Sequence, residues 1–157
     1  MIGIAFYFED TVVNMYSGRW DGDIQMWRNL VDAFGKVSLI MIDKTRDERG
    51  KYFRDHLSQK DLDFHRFRTL EEVEAAFPTQ HFVYVESKET LQARGVKSVA
   101  LPSSPVWGDA IHVFGSDSPS TDLITGREDK TWVSIPSAGT LWAICAATIV
   151  LYDRYIK

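Results

Sequence analysis

The feature that most constrains the fold is an alternation of short apolar segments with segments of helical periodicity. Residues 2–8 (IGIAFYF) and 37–42 (VSLIMI) are apolar and rich in branched and aromatic side chains, which predicts two buried strands. Between them, apolar residues recur at the spacing of one helical face: Ile24, Trp27, Leu30, Val31 and Phe34. Because a helix provides a long enough crossover, the two strands are expected to pair in parallel.

The same alternation continues along the chain. Asp21 or Asp23 is expected to cap the first helix and Gly35 to end it. Thr69 and Glu72 form a capping-box pattern for a short helix that ends before Pro78. Further strands are predicted at 62–67, 81–85, 99–101, 110–114 and 132–135, and helices at 88–94 and 140–155. We therefore expect one α/β domain over residues 1–157, with a mainly parallel sheet and helices on both faces.

Composition excludes several classes of protein. The 157 residues are 45% hydrophobic and 25% charged, which suits one globular domain of ordinary size. The net charge of −4 lacks the basic balance typical of polyanion binders, so any nucleic-acid contact would depend on a local patch. The single cysteine, Cys145, excludes an internal disulfide and a multi-cysteine metal site. Residues 1–8 do not have the pattern of a signal peptide, and we expect a cytoplasmic protein.

A nearly continuous apolar segment lies close to the end of the chain. Residues 141–152 (LWAICAATIVLY) form a run of 12, followed by Asp153 and Arg154. A helix that crosses a bilayer needs about 20 apolar residues. We therefore expect a helix buried in the core or at an interface, and no membrane association.

Two predicted strands run into glycine-bearing loops, at 113–118 (VFGSDS) and 135–141 (IPSAGTL). Ligands of open α/β sheets bind outside the carboxyl ends of strands, and Gly115 and Gly139 would let a ligand approach the backbone closely. Such a surface suits an adenosine or another flat polar ligand. The alternative is that these glycines only shape turns. Neither a GxxxxGK(S/T) nor a GxGxxG phosphate-binding pattern is present.

Other chemistry is weakly indicated. The four histidines have no metal-ligand spacing, so no metal site is predicted, and no GxSxG nucleophile pattern occurs. The segment 46–68 interleaves arginines and lysines with aromatic residues, a combination that contacts phosphates and stacks on bases. Acidic residues are mixed into the same segment, so a solvated face of salt bridges is an equal alternative.

Three regions together resemble the SPOUT class of methyltransferases, and within it the SpoU-like RNA 2′-O-ribose methyltransferases. In residues 23–42, Trp27-Arg28 precedes Ala-Phe-Gly and a strand, similar to the family's Asn-x-Gly-x-x-x-Arg motif. Residues 111–117 (IHVFGSD) resemble its strand ending in F-G-x-E. Residues 133–154 (VSIPSAGTLWAICAATIVLYDR) resemble its I-P, short loop, S-L-N and alanine-rich helix ending in V-L-Y-D-R, and HFVYVE at 81–86 also fits.

The resemblance implies a fold and an assembly. SPOUT domains are parallel α/β sheets whose C-terminal part is threaded into a deep trefoil knot, and they are usually dimers that pack through the last helix. It also implies that S-adenosylmethionine (AdoMet) is held in the knot, mainly by backbone of the second and third motif loops. RNA (tRNA or rRNA) is the implied partner and DNA is not.

The resemblance also assigns residues. The cofactor-binding positions are Phe114, Gly115, Asp117, Ile135, Pro136, Gly139, Thr140 and Leu141. Arg28 is the best match for the family's catalytic arginine. Since a guanidinium does not readily lose its proton, its implied role is to stabilise negative charge that develops on the ribose hydroxyl, or to bind a phosphate.

The sequence departs from the family pattern at several polar positions. Gly22 and Ile24 replace the first-motif Asn and Gly, and Trp142 replaces the third-motif Asn. The interval from Arg28 to Gly35 is one residue longer than usual, which rotates Arg28 by about 100° on a helix. Three hypotheses follow: an AdoMet-dependent RNA methyltransferase, a SPOUT-like protein that binds without methyl transfer, and an unrelated α/β nucleotide-binding domain.

Overall fold

The computed structural model describes residues 1–9, 20–46, 62–115, 121–139 and 141–157, and for residues 20–24 the backbone alone. The predictions for Asp117, for Thr140 and for most of the charged segment 46–68 lie outside these ranges.

A parallel sheet organises the described chain. Its strands are β1 (Ile2–Phe8), β2 (Ser38–Asp43), β3 (Phe64–Phe67), β4 (His81–Val85), β5 (Val99–Ala100), β6 (Ala110–Phe114) and β7 (Thr131–Ser134). They lie in the order β3-β2-β1-β6-β4-β7-β5, and all six neighbouring pairs are parallel. The predicted α/β class with a mainly parallel sheet is therefore confirmed.

Helices cover both faces of the sheet, as predicted. They are α1 (Trp20–Phe34), α2 (Leu70–Ala76), α3 (Lys88–Ala93) and α4 (Ala143–Ile156), with a 3₁₀ turn at Leu101–Ser103. Helices α1 and α4 share one core cluster with alternate residues of the strands, and α2 and α3 share the other. Among the residues described here, no helix is long and apolar enough to cross a membrane.

The two cores follow from the pleat of the strands, which sends successive side chains to opposite faces. Phe6 points towards α1, where its ring stacks on Trp27 at a centroid distance of 3.9 Å and an interplanar angle of 17°. Tyr7, the next residue, belongs to the opposite core with Val73 of α2. Each large side chain buried in this way contributes roughly 1.5–3 kcal/mol, so both faces must be covered for the sheet to be stable.

Most predicted helix ends are confirmed. Gly35 and Gly95 follow α1 and α3 with φ of +81° and +68°, the left-handed conformation that glycine adopts without strain. Thr69 accepts a hydrogen bond from the Glu72 amide at 3.1 Å, as the capping box predicts. The return bond differs, because the Glu72 carboxylate accepts from the Arg68 amide at 2.8 Å rather than from Thr69.

Two helix starts were predicted wrongly. Helix α1 begins at Trp20, so Asp21 and Asp23 lie inside its first turn and do not cap it. Carboxylates in the first turn of a helix also interact favourably with the helix dipole. Their presence therefore did not distinguish a capping position from a position inside the first turn. Helix α4 begins at Ala143 rather than near residue 140. The residues before it are therefore available to form a loop beside the sheet.

Candidate functional site

A pocket opens where three neighbouring strands end. Strands β6, β4 and β7 are adjacent and parallel, so their carboxyl ends meet at one edge of the sheet. The N-terminal turn of α4 closes the pocket from the side of the helix layer. Its lining residues are Val85, Glu86, Ser87, Phe114, Gly115, Ile135, Ser137, Gly139, Leu141, Ala143 and Ala146.

Hydrogen bonds hold the walls of this pocket in place. The Glu86 amide donates to the Val133 carbonyl at 3.2 Å, which ties the residue after β4 to strand β7. The Ser137 hydroxyl donates to the Gly139 carbonyl at 2.8 Å and so shapes the loop after β7. Helix α4 presents Ala143 and Ala146, and such small side chains let the helix approach the pocket closely. The site is thus assembled from segments far apart in sequence.

The chemistry of the walls is mostly apolar. Val85 and Phe114 are buried, and Ile135 and Leu141 are half-buried. Ser87, Ser137 and Glu86 supply the polar side chains. The pocket measures about 110 Å³, below the roughly 300–1,000 Å³ of most small-molecule sites. A ligand the size of AdoMet would fill it and extend towards solvent.

The two pocket glycines are not needed by the protein's own backbone. Neither Gly115 nor Gly139 has a φ in the left-handed region. A Cβ on Gly115 would meet only the Glu86 Oε2 at 3.6 Å, an ordinary contact, and a Cβ on Gly139 would have nothing within 4 Å. Among the described residues, therefore, turn shape and packing do not require glycine at either position. Within the described ranges, no atom beyond the glycine and its chain neighbours lies closer than 3.6 Å to the Cβ position at either glycine.

The structure brings together most of the residues predicted to bind a cofactor. Phe114, Gly115, Ile135, Gly139 and Leu141 all line the pocket. Pro136 is exposed and is not among the residues that line it. Their role in binding stays a prediction.

Sequence reasoning missed part of the pocket. The additional lining residues are Val85, Glu86, Ser87, Ser137, Ala143 and Ala146. A signal for the first three was present, since the strand-end rule that drew attention to the other two loops applies equally to the end of β4. The two alanines had no local signal, because their position depends on where α4 packs.

Arg28 lies apart from this pocket wall. It is exposed on α1, next to the buried Trp27, and does not line the pocket. Trp142, at the position of the family's Asn, has an exposed fraction of 39% and does not line the pocket either. The tryptophan therefore does not fill the space that the proposed ligand needs.

A second polar cluster lies at the same edge of the sheet, at the ends of β2 and β3. The fully buried Asp43 carboxylate accepts from the Thr45 amide at 2.9 Å and from Arg66 Nε at 2.9 Å. Arg68 donates to the Thr45 carbonyl at 3.2 Å, while its side chain stays 44% exposed. Arg66 thus has a structural role, whereas Arg68 also presents charge to solvent.

Comparison by sequence identifies no relative: no protein-family model matches this chain, and no curated protein matches it significantly. Comparison by structure is informative. The chain is similar to the SpoU methyltransferase AviRb from Streptomyces viridochromogenes in complex with AdoMet, with TM-score 0.61 and 20% identity over 98% of this chain and 56% of that one.

Two further solved structures show the same likeness. An AdoMet-bound rRNA methyltransferase from Sinorhizobium meliloti aligns with TM-score 0.63 and 14% identity, over 99% of this chain and 55% of that one. A structure concerning the 2-OH methylation of C/U34 on tRNA aligns with TM-score 0.63 and 11% identity, over 99% of this chain and 94% of that one. The chain thus spans slightly more than half of the first two proteins and nearly all of the third.

At these identities the likeness establishes the fold. It agrees with the parallel sheet, with helices on both faces and with the resemblance carried by the sequence motifs. This chain has the fold of the SpoU-type RNA methyltransferases.

Proposed function

We propose that this protein is an AdoMet-dependent RNA methyltransferase that acts on a ribose 2′-hydroxyl. The observation that carries the proposal is the pocket at the ends of β4, β6 and β7. Its walls include both glycine-bearing segments that the resemblance assigns to the cofactor, around Gly115 and Gly139. The proteins with the same fold include an AdoMet-bound rRNA methyltransferase and the SpoU methyltransferase AviRb in complex with AdoMet.

The residues of the pocket fit such a cofactor. Apolar side chains at Val85, Phe114 and Leu141 suit the faces of an adenine ring, and the open space over the two glycines suits close backbone contact. When bound, AdoMet supplies an activated methyl group on a sulfonium. The protein then has mainly to orient the ribose oxygen in line with that methyl group and to exclude water.

We assign binding of the RNA to exposed cations at the edge of the sheet where the pocket lies. Lys44 and Arg46 follow β2 and are exposed, and the half-exposed Arg68 lies against the Thr45 carbonyl. Since the strands are parallel, this group lies at the same edge of the sheet as the pocket. We propose that it binds phosphates of the substrate and places the target ribose.

We assign Arg28 the role of stabilising charge on the ribose hydroxyl. Its guanidinium is exposed and has no ion-pair partner within the described ranges, so it is available for a phosphate or a developing oxyanion. Because it does not line the pocket, this role requires the RNA to lie between Arg28 and the cofactor.

We also propose the trefoil knot and a homodimer. Support for the knot is that segments after β6 and β7 meet around one pocket beside the start of α4. Support for the dimer is an exposed stripe that begins just before α4 and continues along it, with members three or four residues apart: Trp142, Cys145, Ile149, Tyr152 and Ile156. The cytoplasmic location stays a prediction.

Calorimetry and a transfer assay test the proposed activity. Titration with AdoMet and with S-adenosylhomocysteine should give saturable heat. Radiolabelled methyl groups should pass to tRNA or rRNA transcripts but not to DNA of the same sequence, which lacks the 2′-hydroxyl. The labelled linkage should resist alkaline cleavage, because the 2′-oxygen that attacks the phosphate is blocked. Absence of heat with both ligands would reject the proposal.

A second candidate is a SPOUT-like protein that binds AdoMet, RNA or a protein without methyl transfer. The observations that favour it are Trp142 in place of the family's Asn and the position of Arg28 outside the pocket wall. Turnover by the wild-type protein that disappears in Arg28→Ala would reject this candidate. Cofactor binding with no transfer to any transcript would support it.

A further inference from the structure

The pocket contains one ionisable side chain among its described lining residues, Glu86. Its position is well defined. The Glu86 amide is bound to the Val133 carbonyl at 3.2 Å, and the Glu86 Oε1 accepts from the Ser87 amide at 2.8 Å. The residue is only half-buried, so a ligand in the pocket would meet a carboxylate held at the wall.

The other carboxylate oxygen has no partner within the described parts of the chain. Oε2 lies 3.6 Å from the position that a Cβ on Gly115 would take, so it faces the opposite wall. Among the described residues, no Lys, Arg or His forms a salt bridge with Glu86. A ligand that displaces water here must compensate a negative charge. The site therefore suits a cationic ligand and disfavours a polyphosphate.

We propose, on the basis of the function proposed above, that Glu86 is a specificity determinant. It favours the positively charged sulfonium of AdoMet over the neutral thioether of S-adenosylhomocysteine. In the reaction a bond forms between the methyl carbon and the ribose oxygen, and the bond between that carbon and sulfur breaks. Sulfur keeps the electron pair, and the hydroxyl proton passes to water.

Glu86 thus attracts the sulfonium before methyl transfer, and this attraction is lost when the transfer leaves a neutral thioether. Spent cofactor is then held less tightly than fresh cofactor, which favours its exchange. For unit charges a few ångströms apart in a half-exposed pocket, the expected effect on affinity is roughly tenfold. Because it acts through charge, it does not require a direct hydrogen bond between Glu86 and the ligand.

The test compares Glu86→Gln with a matched control, Glu89→Gln. Glu89 is exposed in the first turn of α3, three residues further on, and does not line this pocket. Both variants lose the same charge, and Gln keeps an oxygen for the Ser87 amide. Calorimetry with AdoMet and with S-adenosylhomocysteine, at one salt concentration, gives the preference of each protein for the charged ligand.

We expect Glu86→Gln to weaken AdoMet binding about tenfold and to change S-adenosylhomocysteine binding less than twofold. Retained binding of the second ligand also shows that the variant is folded. Glu86→Asp should keep most of the preference, and Glu89→Gln should match the wild type. An equal loss for both ligands would overturn the inference, since Glu86 would then contact a group that the two share.

Unchanged affinities in Glu86→Gln would also overturn it while leaving the proposed methyltransferase intact. If the wild-type protein binds neither ligand, the proposed function fails, and this inference fails with it.

Discussion

At the scale of single residues, the glycines of this chain differ in whether the backbone itself requires them. Gly35, Gly95 and Gly126 all have positive φ, so turn geometry requires them. Gly115 has no such φ, and among the described residues a Cβ built there would come within 4 Å of the Glu86 Oε2 alone, at 3.6 Å. Among the described residues, neither backbone conformation nor packing requires glycine at this position, and a methyl group added there would enter the pocket.

Gly115→Ala should therefore separate binding from stability. The added methyl group occupies the pocket without strain, so the free energy of unfolding should change by less than about 1 kcal/mol. AdoMet affinity should fall about tenfold or more, as for an extra methyl group in a fitted pocket. Urea denaturation and calorimetry measure the two effects. Gly108→Ala, where a Cβ meets no described atom within 4 Å and which lies outside the pocket lining, is the control and should bind normally.

At the scale of elements, the edge formed by β2 and β3 depends on one buried carboxylate. Asp43 ends β2 and pairs with Arg66 of β3, whose side chain is only 12% exposed. Both charges are largely out of water, so each depends on the other. The Asp43 carboxylate also accepts from the Thr45 amide, and Arg68 donates to the Thr45 carbonyl, so both order the backbone beside the exposed cations proposed to bind RNA.

Asp43→Ala should thus destabilise the protein strongly. Removing one partner leaves the Arg66 guanidinium buried without a counter-charge, which costs about 3–5 kcal/mol. Urea denaturation measures the loss. Asp109→Ala, which removes an exposed carboxylate paired with the terminal amine, should leave the free energy of unfolding nearly unchanged. Similar losses in both variants would show that the buried pair has no special role.

Strand β6 carries a histidine whose titration affects stability. Burial, with smaller contributions from the nearby Arg154 and His81, lowers the pKa of His112 from 6.5 to about 4, and its Nδ1 has no hydrogen-bond partner among the described residues. In the unfolded chain the imidazole takes up a proton at higher pH than in the folded one. With respect to this group, the free energy of unfolding is therefore highest above pH 6.5 and decreases as the pH falls towards 4.

Between pH 7 and pH 5, the titration of His112 lowers the free energy of unfolding by about 2 kcal/mol. His112→Leu should remove that part of the pH dependence, and urea denaturation at the two pH values measures it. His81→Gln is the comparison variant, because it removes only the smallest of the three causes that lower the pKa of His112 and should retain most of the wild-type slope. An unchanged slope in His112→Leu would show that other groups account for it.

At the scale of the whole molecule, α4 has two different apolar sides. One side is buried against the sheet with Ile144, Ala147 and Leu151. The other side remains open, with exposed fractions of 38% for Ile149 and 57% for Tyr152. A helix that is apolar all round is normally covered on all sides, and a second copy of the chain would cover this one.

Sedimentation velocity tests the dimer. The wild-type protein should sediment with twice the 18.0 kDa mass of one chain, and Ile149→Lys with Tyr152→Lys should sediment as the monomer. Val99→Lys, at strand β5 and outside α4, is the control because Val99 is also exposed and apolar. A wild-type protein that sediments only as a monomer would contradict the proposal.

How well a feature could be predicted from the sequence depends on the distance along the chain over which its signal acts. Periodicity and caps are local, so β1, β4, β6 and the end of α1 at Gly35 were predicted closely. The start of α1 was not, since Asp21 and Asp23 are compatible with a cap and with a first turn alike. In the pocket, Gly115 was identified by its loop, but Ala146 was not, because nothing local marks it.

By itself the sequence determined the types of element, their order along the chain and the class of fold, because alternation and helical spacing state which side of each element is buried. The tertiary structure decided the strand order β3-β2-β1-β6-β4-β7-β5, which inserts β4 between β6 and β7. That order places Glu86 in the same pocket as Gly115 and Gly139. The physical reason is that hydrophobic burial determines which face of a strand is covered, but not which strand lies beside it. Neighbouring strands are determined only when segments distant in the sequence pack together.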